Sequence, residues 1–334
     1  MFNNLKRRTL LAAMTASVAL VALPSFSEDK IQLRLATSAS ETDQRSVAFA
    51  EAFGPAVAEF ASYEPSYNSS LFEQGTELEA IARGNLEMAF ASAQELAQYI
   101  PEFSIFTAGY VHQSAEHQMA VFADPLMDDF KKKVEDTLNM KLLSVMYLGR
   151  RQLNLRMPKS ELEVKTPADL AGVNLRMPGT DAWQFLGSAL GASPTPMAFA
   201  EVYTGLQSGA IDGQDNPLPT TVDKKFYEVT KQIALTSHLV DLNYAAISLE
   251  VWNNMSEDQQ AAVQSAADAA AELGRSRQLQ QEADLVAFLE EQGLDVYEPD
   301  LAAFREKVQA AYAASDLAKD WPEGVLEKIN ALGN

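Results

Sequence analysis

The chain has 334 residues, of which 47% are hydrophobic and 22% charged, and its formal net charge is −20 at pH 7. This composition fits two modest domains or one large one and excludes a disordered or fibrous chain, while the absence of cysteine excludes disulfides and thiolate metal sites. The acidic balance argues against binding to nucleic acid or to anionic membrane surfaces, although buried arginines inside an acidic shell would still attract a small anion.

The first 27 residues have the pattern of a secretory signal peptide. Basic residues at 6–8 precede an apolar run over 10–23, and the small residues Ser25 and Ser27 place the cleavage site after Ser27. At about 14 residues the run is shorter than the roughly 20 that a bilayer-spanning helix needs, so a membrane anchor is the less favoured alternative. Cleavage removes three basic residues and no acids, which moves the net charge from −20 to −23. Both the general secretory and the twin-arginine route remain open for export.

The first predicted elements alternate between strands and helices. Residues 31–35 alternate apolar with polar side chains and predict a strand, and residues 41–60 carry helical periodicity. A short helix is predicted over 77–83, followed by a second alternating strand over 86–90. The continuous apolar run over 142–148 predicts a strand that is buried on both faces.

A second set of elements follows Gly149. In chain order it contains a short helix that starts at Thr166, a strand over 173–177, helices over 181–190 and 201–208, and a strand over 244–249. Strands that alternate with helices predict an α/β fold with largely parallel sheets.

The longest predicted helix begins at Ser256. Ser256 and Gln259 form a capping box, and an alanine-rich sequence continues toward Gln292. At 1.5 Å per residue this helix is on the order of 50 Å long, so a continuous helix would lie across more than one domain. Gly274 is the candidate interruption.

Enzyme signatures are missing from the sequence. His112 and His117 are poorly spaced for one helix face, His238 stands apart, and no HExxH, GxSxG or phosphate-loop motif occurs. We therefore expect no catalytic residues, no metal and no cofactor.

Arginines follow two of the predicted strands: Arg150, Arg151, Arg156 and Arg176. Two of them stand in the same sequence, Asn-Leu-Arg-Met-Pro, which occurs at 154–158 and again at 174–178. The planar guanidinium group suits bidentate binding of a carboxylate, and ligands of α/β folds bind at strand ends. By spacing alone, ion pairs with nearby acids such as Glu161 or Asp181 are the favoured interpretation.

A long gap-free segment strongly resembles one family. Residues 190–218 read LGASPTPMAFAEVYTGLQSGAIDGQDNPL, and the similarity continues over 225–229, 235–238 and 166–178. These stretches resemble the solute-binding proteins of tripartite ATP-independent periplasmic (TRAP) transporters, bacterial solute-binding protein family 7, which includes dicarboxylate, sialic acid and sugar acid receptors. A weaker resemblance covers the rest of the mature chain.

The resemblance implies roles for individual residues. The arginine of the L-R-x-P strand, Arg176, would grip the ligand carboxylate through both of its terminal nitrogens. Arg151 and Asn216 would contact the same carboxylate, Phe199 would line the pocket, and His238 would form a polar part of its wall. The alternatives are that Phe199 belongs to the core and that His238 is a structural histidine. Trp183 is expected in the core, with the pocket as its alternative.

Departures from the family pattern bear on the ligand. Where sialic acid receptors have F-A-E, this chain has Phe90-Ala91-Ser92, so that carboxylate is missing, and the position of their asparagine falls near Ser38. A second ligand carboxylate would need another cation, for which Arg150 and Arg156 are the candidates. We therefore favour a hydroxylated monocarboxylate such as a uronate or aldonate over a C4-dicarboxylate or sialic acid. The side chains expected to bind its hydroxyl groups are Ser38, Gln74, Ser92, Gln214 and His238.

The resemblance implies a two-lobed periplasmic binding protein fold, each lobe a mostly parallel sheet flanked by helices, with the long helix spanning both. Lobe I would comprise 28–148 plus 242–281, and lobe II 149–241 plus 282–334. The chain would act in the periplasm as a monomer that hands its organic acid to the small and large membrane subunits of the transporter. The rival classes are a receptor of an ATP-driven importer and a periplasmic enzyme.

Overall fold

A mixed β-sheet is the centre of the molecule in the computed structural model, which describes residues 30–333. The predicted signal peptide, 1–27, lies outside the described residues. The strands within this range are β1 (Ile31–Ala36), β2 (Ala61–Ser66), β3 (Met88–Ala91), β4 (Met140–Leu155), β5 (Asn174–Met177), β6 (Ser193–Pro196), β7 (Gly213–Pro217), β8 (Gln232–Ser248) and β9 (Asp295–Tyr297).

Helices connect these strands and cover both faces of the sheet. The α-helices are α1 (Gln44–Ala48), α2 (Gly54–Val57), α3 (Glu77–Ala82), α4 (Ala93–Leu96), α5 (Ala115–Ala123), α6 (Leu126–Leu138), α7 (Asp181–Ala189), α8 (Val202–Ser208), α9 (Leu218–Asp223), α10 (Leu249–Asn253), α11 (Glu257–Glu291), α12 (Leu301–Ala313) and α13 (Val325–Leu332). A π-helical turn, Phe49–Phe53, joins α1 to α2. Single 3-10 segments lie at Pro101–Thr107, Pro167–Leu170, Phe199–Glu201, Phe226–Glu228 and Asp316–Asp320.

The strand order is β2-β1-β3-β8-β4-β7-β5-β6, and β9 pairs with the start of β8. The short strands pair in parallel, β1 with β2 and β3, and β5 with β6 and β7. The two long strands β4 and β8 pair antiparallel with each other along most of their length. The fold is therefore the expected mixture of α and β, with two sets of parallel strands joined through a central antiparallel pair.

Periodicity and the capping and turn residues of the sequence predicted most elements correctly. The predicted strands over 31–35, 86–90 and 173–177 and the helices over 77–83 and 181–190 all occur with bounds within two residues of those expected. The long strands were underestimated: the predicted strand over 142–148 is the middle of β4, and the strand over 244–249 is the end of β8. Their remaining halves carry polar residues such as Asn154 and Gln232, which break the apolar pattern. Asn154 Nδ2 donates to the backbone carbonyl of Gln232 at 3.2 Å, and Gln232 Nε2 donates to Met157 O and Leu162 O at 2.8 Å.

Both faces of the central strands are buried. Ala245 and Ile247 of β8 pack into one core with Leu33, Leu35, the π-helical turn and the helices α2 and α11. Tyr244 and Ala246 point to the opposite face and join a second core. Because successive side chains of a strand alternate between faces, burial on both sides explains the nearly continuous apolar sequence at the end of β8.

The helix α11 is continuous over 35 residues, so Gly274 does not interrupt it. The capping box of Ser256 and Gln259 begins the helix as predicted. A methyl group at Gly274 would lie 3.4 Å from Cβ of Ala48, so the glycine lets α11 approach α1 closely. Farther along, Gln278 donates from its amide to Leu148 O in β4. Even this helix is not apolar enough to cross a membrane, and the same holds for the other helices of residues 30–333.

Candidate functional site

A cavity of about 70 Å³ lies where the carboxyl ends of the parallel strands meet. Ser38 follows β1, Ser92 follows β3, and Arg176 and Asn216 stand near the ends of β5 and β7. Ligands of α/β folds bind at such strand ends because the loops there vary without disturbing the sheet. The side chains that line the cavity include Ser38, Arg45, Gln74, Glu77, Ser92, Glu95, Arg151, Arg176, Trp183, Phe199, Asn216 and Asp241.

The cavity brings together residues that are far apart in the sequence. Of the eight residues expected at the ligand, those that line it are Ser38, Gln74, Ser92, Arg151, Arg176, Phe199 and Asn216. His238 is the exception: its side chain is fully buried behind the cavity wall. Gln214, expected to bind hydroxyl groups, is also fully buried and bonds to Asn154, Thr221 and Asn216 instead.

Arg176 is a buried cation with no acidic partner among residues 30–333. It is 1% exposed, and its Nε donates to Met197 O at 2.9 Å. Its Nη2 lies 3.5 Å from Gln74 Oε1, and its guanidinium group lies 5.6 Å from the ring centre of Phe199. These bonds leave both N–H groups of Nη1 and one of Nη2 available, which is the set needed for a bidentate bond to a carboxylate.

The environment of Arg176 disfavours its charge. Burial and, secondarily, the neighbouring charge of Arg151 lower the pKa of Arg176 to about 9. Burial lowers the pKa of a cation because the charged form loses its hydration. An anion at Nη1 and Nη2 would supply the missing countercharge.

Arg151 is also buried, but acids of the protein neutralise it. Its Nε donates to Asp215 Oδ2 at 2.7 Å, its Nη2 to Asp215 Oδ1 at 3.0 Å, and its Nη1 to Asp241 Oδ2 at 2.6 Å. Burial alone would lower the pKa of Arg151, but Asp215 and Asp241 raise it. Nη2 also donates to Asp215 O, which leaves one N–H of Nη1 for a ligand. The guanidinium carbon of Arg151 lies 4.4 Å from the ring centre of Trp183. This tryptophan, expected in the core, therefore also lines the cavity.

His238 supports this arginine from behind. Its Nε2 lies 3.0 Å from Asp215 Oδ2, and its Nδ1 lies 2.7 Å from Thr236 Oγ1. An ionised carboxylate only accepts, so Nε2 of His238 carries a proton and donates it to Asp215. Arg151 and His238 together hold the pKa of Asp215 below its usual range, against the effect of burial. The predicted position of His238 in the pocket wall is therefore corrected to a position that orients Asp215.

Gln74 connects the two sides of the cavity. Its Oε1 accepts from the backbone N–H of Phe199 at 3.2 Å as well as facing Arg176. Nearby, Asp223 Oδ2 accepts from Ser40 Oγ at 2.6 Å. Lys224 Nζ donates to Asn68 Oδ1 at 2.8 Å. These side-chain bonds join segments before residue 75 to segments after residue 198, so the cavity is enclosed between them.

The cavity does contain carboxylates, contrary to the expectation from Ser92. Ser92 begins α4, and both its N–H and its hydroxyl donate to Glu95 Oε2, at 2.9 and 2.8 Å. Glu77, in the first turn of α3, is 7% exposed and lines the same wall. Burial, and then the charge of Glu95, raises the pKa of Glu77, and burial also raises the pKa of Glu95. Position 92 itself has no carboxylate, but Glu95 in the first turn of α4 and Glu77 of α3 supply carboxylates to the cavity.

The additional cation at the cavity is neither Arg150 nor Arg156. Arg150 donates to Gln113 O and Arg156 lies 3.8 Å from Asp212, and neither side chain lines the cavity. Arg45 of α1 lines it instead and pairs with Asp43 at 2.8 and 2.9 Å. Its Nη1 donates to Asn243 Oδ1 at 2.6 Å.

Local sequence contained part of the missed information. Ser92-Ala93-Gln94-Glu95 is a capping-box pattern, which ties a glutamate to the residue that follows β3. Asp43 and Arg45 stand at the start of a predicted helix, where Asp43 caps the helix. No local pattern places Glu77 or Arg45 beside Arg176, because that proximity depends on the order of the strands.

A cavity between two sets of parallel strands, with a buried unpaired arginine at one wall, defines a receptor for a small anion. The chain belongs to the bacterial extracellular solute-binding proteins of family 7, whose family model matches residues 46–318. These periplasmic receptors bind small organic acids and work with the membrane permease subunits of TRAP transporters. The predicted family is therefore confirmed.

Solved structures and curated relatives agree with this assignment. A TRAP periplasmic solute-binding protein from Roseobacter denitrificans, with bound 3-deoxy-D-manno-oct-2-ulosonic acid (KDO), is 71% identical, with a TM-score of 0.91 over 91% of this chain and 100% of that one. A second one from Roseobacter denitrificans OCh 114, with bound L-galactonate, is 29% identical, with a TM-score of 0.81 over 91% and 99%. The sialic acid-binding periplasmic protein of Vibrio cholerae is 31% identical over 76% of this chain and 77% of its own length.

Proposed function

We propose that this chain is the receptor for a sugar acid with one carboxylate, which it binds through Arg176 and delivers to a TRAP permease. The observation that carries the proposal is the fully buried guanidinium of Arg176, which has no acidic partner in residues 30–333 and faces the cavity. A buried unpaired charge is costly, so it persists where a ligand supplies the countercharge. The role is binding and release, without a chemical step.

The leading candidate ligand is KDO or an acid of closely similar shape. The solved receptor that is 71% identical to this chain holds KDO, and the receptor that is 29% identical holds L-galactonate. Both are polyhydroxylated acids with a single carboxylate. The much higher identity of the KDO-bound receptor supports KDO over the shorter acid.

Arg176 and Arg151 have unequal roles in the proposed complex. Arg176 donates two parallel bonds to the carboxylate, from Nη1 and Nη2. Arg151, whose other donors are held by Asp215 and Asp241, adds a single bond from Nη1. Asn216, at the end of β7, offers its side-chain amide to the ligand. The ring of Phe199 lies beside the Arg176 guanidinium group, 5.6 Å from its centre.

The ligand lies between two lobes, 28–148 plus 242–281 and 149–241 plus 282–334. Two observations support this division. The pairing of β4 with β8 shifts register between Tyr147 and Gly149, opposite Leu242 and Asp241, where the chain would cross. The bonds of Gln74, Asp223 and Lys224 join the two parts around the cavity, as a closed binding protein requires. Enclosure excludes water and strengthens the pairing of the carboxylate with arginine.

Export through a cleaved leader completes the proposal. Residues 1–27 have the composition of a signal peptide, and the family to which the chain belongs is periplasmic. Cleavage after Ser27 would leave β1 as the first element of the mature chain.

The test is a thermal-shift screen of the wild-type protein with KDO, uronates, aldonates, C4-dicarboxylates, 2-oxo acids and sialic acid, followed by calorimetry on Arg176→Ala. We expect stabilisation by KDO, and loss of binding by at least about a thousandfold in the variant, because a charge-assisted bidentate pair is lost in a buried site. Arg156→Ala is the matched control, since Arg156 stands in the same pentapeptide but is exposed. Unchanged affinity in Arg176→Ala, or tightest binding of a C4-dicarboxylate, would overturn the proposal.

A further inference from the structure

Binding of the ligand carboxylate by Arg176 does not account for two glutamates that line the cavity. Glu77 lies in the first turn of α3 and Glu95 in the first turn of α4, so the two helices bring their side chains to one wall. Glu77 Oε2 accepts from Gly75 N at 2.6 Å, while Glu95 uses Oε2 for both bonds from Ser92. None of the hydrogen bonds within residues 30–333 reaches Oε1 of Glu95.

The other charges of the cavity are accounted for. Arg151 is paired with Asp215 and Asp241, and Arg45 is paired with Asp43. What remains is one unpaired cation, Arg176, and the two glutamates. The unpartnered arginine, 1% exposed and lining the same cavity, shows that this space receives a ligand, so the glutamates face that ligand rather than bulk water.

We propose that Glu77 and Glu95 select the ligand, by accepting hydrogen bonds from the hydroxyl groups of a polyhydroxylated monocarboxylate and by excluding an acid with a second carboxylate. This inference rests on the proposed function and adds to it the residues that read the part of the ligand away from its carboxylate. In this assignment Arg176 binds the ligand carboxylate at one end of the cavity, and the two glutamates bind hydroxyl groups at the other end.

Acceptance and exclusion have the same physical origin. A hydroxyl group donates to a carboxylate in a charge-assisted bond, which is about twice as strong as a bond between neutral groups. A second ligand carboxylate can only accept, so beside Glu77 and Glu95 it would meet both a like charge and unpaired acceptors. The charge of Arg45 is already shared between Asp43, with which it pairs, and Glu95, whose pKa it lowers, so it is not free to neutralise a second ligand carboxylate.

Burial supports the same assignment. It raises the pKa of both glutamates, so the pair holds a proton more tightly than free glutamates do. A pair that retains a proton can donate to a ligand hydroxyl as well as accept from it. With one proton retained, the pair still carries one negative charge, so a second ligand carboxylate at this wall would meet a like charge.

The experiment compares two acids that differ only in the far end. L-galactonate ends in a primary alcohol, and galactarate has a carboxylate there. Binding of both, and of KDO, is measured by calorimetry at pH 7.5 for wild type, Glu77→Gln, Glu95→Gln and the double variant. Glutamine at position 95 keeps the capping box, since Gln serves at that position as Glu does. Glu79→Gln, on the exposed face of α3, is the matched control.

We expect the wild type to favour L-galactonate over galactarate by at least about thirtyfold, and the double variant to reduce that preference to about threefold or less. The double variant also loses about tenfold or more in KDO affinity, with an unchanged melting curve in the absence of ligand or a higher one. The single variants lie between, and Glu79→Gln behaves as wild type.

Two outcomes would overturn the inference by itself: unchanged KDO affinity in the double variant while the wild type binds KDO normally, or wild-type binding of galactarate as tight as that of L-galactonate. A wild-type protein that binds none of the three acids would overturn the proposed function, and the role of the glutamates with it. Because the wild type is measured in every arm, the two failures are distinguishable.

Discussion

Arg151 and Arg176 are two buried arginines whose surroundings differ in one respect. Arg151 in β4 is neutralised by Asp215 and Asp241, and behind them His238 orients Asp215. Arg176 in β5 has a backbone carbonyl, an amide oxygen and an aromatic ring around it, but it forms no ion pair with an acid of residues 30–333. Burial alone therefore does not distinguish a structural arginine from a ligand-binding one. A buried charge with an acidic partner belongs to the structure, while a buried charge without one indicates a ligand.

Removal of Arg151 should have the largest effect on folding. In Arg151→Met the two aspartates lose their shared cation inside the protein, so we expect the free energy of unfolding to fall by about 3–5 kcal/mol. Urea denaturation of the unliganded protein, followed by circular dichroism, measures this. A loss below about 1 kcal/mol would show that Asp215 and Asp241 find other partners, and would remove the contrast with Arg176.

Removal of Arg176 should have the opposite sign. Arg176→Met replaces an unpaired buried cation by an apolar side chain of similar length, so we expect the unliganded protein to gain about 1–4 kcal/mol of stability while ligand binding is lost. The same urea titration measures the gain, and Arg156→Met serves as the exposed control. A destabilised Arg176→Met would mean that this arginine is structural as well.

The smallest expected effect is on the pH dependence of stability. The pKa of Glu77 is raised in the folded protein, by burial and then by Glu95, while Arg45 and Asp241 also face this wall. A raised pKa in the folded state gives stability that is present at low pH and is lost as the pH rises above the ordinary glutamate value of 4.5. Wild type should therefore lose stability between pH 5 and 8 relative to the Glu77→Gln, Glu95→Gln double variant.

The range from pH 5 to 8 distinguishes the contribution of Glu77 to stability from that of Asp215, which binds Arg151. The pKa of Asp215 is lowered, so its contribution is complete above its ordinary value of 3.8 and is lost only as the pH falls further. Urea midpoints of wild type and double variant at each pH give the comparison. Parallel curves from pH 5 to 8 would show that the glutamates do not hold a proton more tightly in the folded state.

Much of the fold was predictable because short-range patterns determine the beginning and end of elements. Thr166 with Asp169, and Ser256 with Gln259, form the capping boxes that their spacing indicates. The far halves of β4 and β8 were missed because their polar residues are satisfied by residues that only folding brings near, which a local pattern does not reveal. Strand bounds there depend on pairing rather than on periodicity.

The site divides in the same way. The family resemblance predicted that Arg176, Arg151, Asn216 and Phe199 serve one pocket, and all four line the same cavity. Only the tertiary structure decided that His238 stands behind Asp215 and that Arg45, Glu77 and Glu95 reach the same cavity. These residues come from two strands and three helices far apart in the chain, and the order of the strands brings them together. The difference between Arg151 and Arg176 has the same source, since the countercharge of an arginine is supplied by residues that are its neighbours only after folding.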